Sequence, residues 1–257
     1  MPQQAENQRF KDEDVRALAQ VGLFSAGIIH EVKNALQGIA NALILLDAEK
    51  DLKPQAKEWV GIARRELSRA IDVSRDTLAL VREESTVPVR ITDILEDVLS
   101  TYAAKIDHKG VAIDRRYEFH ETIHGDPGAV RQVFANIVLN ALESLPCHTG
   151  KLIIHTRACH VGEEGNVRRD KAVRGVRIFF ADNGPGIPEE NRRKVFEPLF
   201  STKEGKGAGL GLWITQQLVR KQHGALRLHS SDKPRSSGTC FSVFLPMNQN
   251  QQPKAAA

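Results

Sequence analysis

Leu18, Val21, Ser25, Ile28, Val32, Ala35, Ile39, Ala42 and Leu46 follow one another at alternating steps of three and four residues. That spacing winds a narrow apolar seam along one side of a helix, and it fits no strand, whose faces alternate every second residue. A second run repeats it through Val60, Ala63, Leu67, Ala70, Ser74, Thr77 and Val81. The polar stretch DAEKDLKPQAK between the two runs carries Pro54 and suits a helix–helix connection. Two helices with such thin stripes bury little apolar surface alone. The spacing therefore predicts an antiparallel hairpin that pairs with a second copy into a four-helix bundle.

The seam also orients a histidine. With Ile28 and Val32 turned inward, His30 points roughly 160° away from the seam. Glu31 flanks it, and Asn34 lies one turn on, on the same side. A carboxylate beside an exposed imidazole can fix its tautomer and raise its basicity, which invites nucleophilic chemistry. A solvated polar face without chemistry is the alternative, and the hairpin alone does not choose between them.

Composition narrows the field. The 36 basic residues against 32 acidic ones leave a net charge of +4. That excess is small and dispersed, so no nucleic-acid partner is expected. No run of about 18 apolar residues occurs, which predicts no membrane insertion. The polar start MPQQAENQRFKDEDVR lacks a signal-peptide core. Cys147, Cys159 and Cys240 are odd in number and far apart, which suits a reduced, cytoplasmic chain without a disulfide framework or zinc site.

Near ESTVPVR the character of the chain changes, and Pro88 interrupts any helix. Beyond it, β-branched runs alternate with helical ones. AVRQVFANIVLNALESL, residues 129–145, reads as a helix with a broad apolar side and with Asn136 and Asn140 one turn apart on another face. Asparagine is a mediocre residue inside a helix. The pair could ligate Mg2+ through side-chain carbonyls, donate to phosphate, bond a neighbouring helix or simply face solvent.

GVRIFFADNGPGIP places Asp182 at the end of a strand-like run, Val176 to Phe180, before a glycine–proline turn. There a carboxylate can accept from an exocyclic amine, and Gly184 and Gly186 let backbone approach a flat ligand. Gly205, Gly207, Gly209 and Gly211 then alternate into the amphipathic run LWITQQLVRKQ. Glycines leading into a helix N-terminus offer free amides to phosphate, with Thr202, Lys203 and Lys206 as further donors. The pattern is neither a Walker loop nor a GxGxxG opening a βαβ unit.

In this order the segments resemble the boxes of bacterial two-component sensor histidine kinases. HEVKN resembles the H-box, NIVLNALESL the N-box, DNGPGIP the G1 box, FEPLF the F-box and GKGAGLGL the G2 box. Each box is weak alone; five in order and spacing are specific, and they span roughly residues 15–246. The nitrogen-regulation-like group is the nearest variety, although Lys33 and Ala35 stand where its H-box often has asparagine and proline.

The resemblance implies a dimerisation and phosphotransfer domain over 15–86 and an ATP-binding catalytic domain over 87–247. Residues 1–14 are expected to be a flexible segment, and 248–257 a disordered tail. The implied fold class is α plus α/β: a dimeric four-helix bundle, then the α/β sandwich shared by histidine kinases and DNA gyrase, a mixed sheet covered on one face by helices. It implies ATP and Mg2+ as cofactors, a response-regulator receiver domain and a second copy of the chain as partners, and an ATP lid through about 196–208.

Roles carry over by resemblance. His30 becomes the phosphoacceptor, Glu31 its orienting acid/base and Asn34 a water-positioning amide for dephosphorylating the partner. Asn140 ligates Mg2+, Asn136 assists at the phosphates and Asp182 reads the adenine amine. Gly184 and Gly186 shape the adenine wall, and Gly207, Gly209 and Gly211 the phosphate side. Hydrolytic members of the superfamily carry a glutamate where Asn136 stands, so the amide suits transfer to a protein nucleophile better than hydrolysis. Other readings of the same fold are an ATPase, a serine protein kinase or a non-catalytic phosphotransfer scaffold. No sensor segment is evident, so the stimulus is expected from a separate protein or from a longer chain. The charged stretch HVGEEGNVRRDKAVRGV reads as a solvated hairpin loop.

Overall fold

Pro54 opens a helix where a missing N–H costs nothing, and the Lys53 carbonyl accepts from the amides of Ala56 and Lys57 at 2.9 and 3.1 Å. The computed structural model describes residues 36–48, 53–64, 67, 86–161, 173–198, 200–202, 209–233 and 236–248. His30, Glu31, Asn34, Lys203, Lys206 and Gly207 lie outside the described residues. So do the seam positions before residue 36 and after Leu67, the stretch 162–172 and both termini. The chain divides into two units, residues 1–83 with 201–210 and residues 84–200 with 211–257.

In the first unit, helices α1 (36–48) and α2 (54–64) are joined by an ion pair in which Arg64 Nη1 donates to Asp47 Oδ2 at 2.7 Å. Val60 and Leu67 of the second seam are buried. Ile39 and Leu46 of the first seam are 51% and 48% exposed, and neighbouring Leu45 is 71% exposed.

The second unit runs β1 (Val87–Arg90), α3 (Ile91–Thr101), α4 (Ala103–Lys109), β2 (Ala112–Tyr117), β3 (Thr122–Gly125) and α5 (Pro127–Ser144). Then come β4 (Lys151–Val161), β5 (Val173–Asp182), α6 (Gly211–Lys221), β6 (Ala225–Ser231) and β7 (Gly238–Pro246). The main sheet has the order β2-β4-β5-β7-β6, with β2 and β4 parallel and every other pair antiparallel. Strands β1 and β3 form a separate antiparallel pair.

Strand parity decides the layers. Leu152, Ile154 and Thr156 on β4, Val176, Ile178 and Phe180 on β5, and Phe241, Val243 and Leu245 on β7 share one face, and all are buried. Against that parity stand the buried stripes of α3 (Ile94, Leu95, Val98), α5 (Val130, Phe134, Ile137, Val138) and α6 (Ile214, Leu218). The rings of Phe134 and Phe180 meet at 5.5 Å, tilted by 51°, and tie helix layer to sheet. The result is the expected α/β sandwich. The opposite face is more polar; there the Arg157 guanidinium lies over Phe179 at 5.1 Å and His155 stacks on the same ring.

Helix α5, which carries both asparagines, is fastened at each end. Asp126 Oδ1 accepts from the amides of Gly128 and Ala129 at 2.7 and 3.2 Å, with Pro127 behind it. Beyond the other end, Lys109 Nζ donates to the Leu142 and Leu145 carbonyls at 2.6 and 2.8 Å. No helix among the described residues is long and apolar enough to cross a membrane.

Candidate functional site

Asp182 is the last residue of β5, with its side chain on the sheet face that packs against the helices. Its Oδ1 accepts from the backbone amide of Gly184 at 2.9 Å and from that of Thr239 at 3.3 Å. Oδ2 accepts from none of the described residues. Burial pushes this carboxyl above the usual carboxylate range, against the pull of the two amides. The site thus holds one oxygen of a desolvated carboxylate still and leaves the other as an acceptor.

The turn after Asp182 is pinned from three sides. Asn183 Oδ1 accepts from the Lys151 amide at 2.6 Å, and its Nδ2 donates to the Thr149 carbonyl at 3.0 Å. The Ile187 amide donates to Ser230 Oγ at 2.8 Å, and Arg192 Nε donates to the Ile187 carbonyl at 3.0 Å. A Cβ on Gly184 would sit 2.8 Å from Asp182 Oδ1, and one on Gly186 would strike the Ser231 carbonyl. Gly186 also has φ +79°, where glycine alone is unstrained. Both glycines therefore keep this wall thin.

On α5, Asn136 and Asn140 are half-buried. Asn136 Nδ2 donates to the Gly211 carbonyl at 3.0 Å and to Thr215 Oγ1 at 3.3 Å, while its Oδ1 accepts from Gln132 Nε2 at 3.2 Å. The bond to a neighbouring helix, one of the readings open from the sequence, is thus the one Asn136 makes. Gly209 has φ +69° and leads toward Gly211, the first residue of α6. Thr202 is exposed. The second unit thus brings Asp182, Gly184 and Gly186 into one cluster and Asn136 and Gly211 into another. Thr202 and Gly209 group with the first unit.

Several contributors escape a reading of the sequence. The Thr239 amide comes from a strand far along the chain, and Ser230 looks like an ordinary strand residue. Only Thr215, four residues after Gly211, carries a local signal, because a helix puts that spacing on one face.

Residues 125–249 match the family described as histidine kinase-, DNA gyrase B- and HSP90-like ATPase. The chain is 31% identical over 228 residues to the sensory histidine kinase/phosphatase NtrB of Vibrio alginolyticus, across 88% of this chain and 62% of that protein. It is 29% identical over 233 residues to sporulation kinase C of Bacillus subtilis (strain 168), across 88% and 49%. Residues 125–249 thus match that ATPase family, and the chain is similar to sensor histidine kinases.

Solved structures share the architecture. Full-length ShkA in complex with AMPPNP superposes with a TM-score of 0.65 at 26% identity, over 90% of this chain and 46% of that one. The mycobacterial sensor histidine kinase MprB gives 0.53 at 25%, over 64% and 99%. The chain spans between 25% and 62% of the length of the first curated relatives it matches.

A domain of this ATPase family accommodates a nucleotide, and the Asp182 acceptor beside a glycine-lined wall fits an amine-bearing flat base. The donor set also bears on the metal. Among the described residues no cluster of three or more His, Cys, Asp or Glu side chains could hold an ion. The Asn140 carbonyl is a hard oxygen donor of the kind that serves Mg2+ when substrate phosphates and water supply the other ligands.

Proposed function

We propose that this chain is the catalytic core of a two-component histidine kinase, which phosphorylates His30 from ATP and passes the phosphoryl group to an aspartate of a response-regulator receiver domain. The half-held Asp182 carboxylate, inside a domain of an ATPase family, carries the reading. With Oδ1 occupied by two amides, Oδ2 accepts from the exocyclic amine of adenine. Gly184 and Gly186 admit the ring beside it. The resemblance assigns Gly207, Gly209 and Gly211 to the phosphates, with Thr202, Lys203 and Lys206 as further donors and charge.

The Asn140 carbonyl would hold Mg2+, which when bound would neutralise phosphate charge. One imidazole nitrogen of His30 attacks the γ-phosphorus, the bond to the bridging oxygen breaks and ADP leaves. The proton on the other ring nitrogen passes to Glu31. Position 136 offers an amide rather than a carboxylate, so that side chain has no base with which to activate water. Transfer is favoured over hydrolysis for that reason.

The exposed Ile39, Leu45 and Leu46 support a hairpin whose seam is completed by a second copy of the chain. Asn34, four residues after His30, orients a water that dephosphorylates the partner. NtrB, to which the chain is similar, is named as a kinase/phosphatase.

Incubation with γ-labelled ATP tests the scheme. Wild type acquires acid-labile, alkali-stable label, and His30→Gln loses it while still binding ATP. Label that survives the substitution overturns the assignment of His30. Phosphate release without labelled protein points instead to an ATPase. In the same system Asn34→Ala slows loss of label from the partner, and an unchanged rate removes the phosphatase reading.

A further inference from the structure

Gly211 opens α6, and its carbonyl accepts two hydrogen bonds, one from Thr215 Oγ1 at 2.8 Å and one from Asn136 Nδ2 at 3.0 Å. A threonine hydroxyl has one proton, and here it is spent on that carbonyl. Thr215 Oγ1 therefore serves as acceptor for Asn136 Nδ2 at 3.3 Å. The Gly211 carbonyl can only accept, which fixes the nitrogen end of the Asn136 amide toward it, and Asn136 Oδ1 accepts from Gln132 Nε2 at 3.2 Å. Thr215 is fully buried, so water does not compete for its hydroxyl. Asn136, Thr215 and Gly211 thus close a small ring of bonds between α5 and the start of α6.

We propose that Thr215 is a positioning residue for the phosphate side of the site, acting through Asn136 and the Gly211 carbonyl; this rests on the nucleotide reading above. Both amide hydrogens of Asn136 are committed to the ring, so Asn136 works on the phosphates through backbone rather than by touching them. Pinning the Gly211 carbonyl fixes the direction of the next amides, Leu212 and Trp213, which have no partner within the helix. The ring also dictates the chemistry at position 136. Two acceptors face that side chain, and the amide donates to both. A carboxylate donates to neither: even with the Thr215 hydroxyl turned to donate to it, the Gly211 carbonyl would lose its partner and face a like-charged oxygen, which disfavours a water-activating glutamate here.

Calorimetric titration of the full chain with AMPPNP and with adenosine separates the phosphate side from the adenine side. Thr215→Val keeps shape and burial but removes the hydroxyl. Its affinity for AMPPNP falls roughly tenfold, the scale of one buried hydrogen bond, while its affinity for adenosine is unchanged. Thr215→Ser restores AMPPNP binding. Amide exchange over residues 211–215 is faster in ligand-free Thr215→Val than in wild type, a change that needs no nucleotide. Equal losses for both ligands, or a loss for neither, in folded Thr215→Val overturns the proposal. If that variant does not fold, Asn136→Asp must show the same selective loss of AMPPNP, and its absence overturns the proposal as well. Wild type that binds neither ligand removes the nucleotide reading and the ring's role with it; wild type that binds both, matched by Thr215→Val, removes the ring's role alone.

Discussion

Asp182 shows how much one side chain can be asked to do. Burial disfavours its charged form, and the Gly184 and Thr239 amides return part of the loss. Because its carboxyl sits above the ordinary range in the folded chain, the native state binds this proton more tightly than the unfolded one. Stability from this group is therefore full below the ordinary carboxylate range and is lost as pH rises through the raised native value. Asp182→Asn keeps the acceptor at Oδ1 and removes the buried charge. The ligand-free variant is expected to melt higher than wild type at pH 7, while adenosine binding is abolished because an NH2 group replaces the free oxygen. A melting temperature that falls, or binding that persists, would contradict this account.

At the scale of elements, α5 was legible from its apolar periodicity over 129–145, and the strand ending at Asp182 from the run Val176 to Phe180. What local pattern did not disclose is how α5 is held. Lys109, at the end of another helix, caps the Leu142 and Leu145 carbonyls from 33 and 36 residues away. No rule of spacing reaches across that separation. Lys109→Met removes two charge-assisted bonds and the favourable charge at a helix C-terminus, and is expected to cost about 1–3 kcal/mol in urea unfolding. A midpoint equal to that of wild type would show that water replaces the lysine without loss.

On the scale of the whole molecule, α1 carries apolar side chains that the described residues leave exposed. Ile39 and Leu46 are about half exposed although they lie on the expected seam. Replacing both with glutamate is expected to shift the protein from dimer to monomer in light scattering at unchanged helical content; a persistent dimer places the contact elsewhere. Sequence alone determined helix α5, the strand that ends at Asp182, helix α6 and the kinds of residue at each box. Periodicity, glycine placement and strand ends are local consequences of backbone geometry, and they are written in short stretches of chain. Only the tertiary structure decided which donor meets which acceptor: that Thr239 steadies Asp182, that Lys109 closes α5, and that Asn136 grips Gly211 and Thr215. Those bonds join residues between 33 and 79 positions apart. Their geometry exists only once the sheet and its helices have packed, because burial is what makes each unpaired polar atom costly enough to demand its partner.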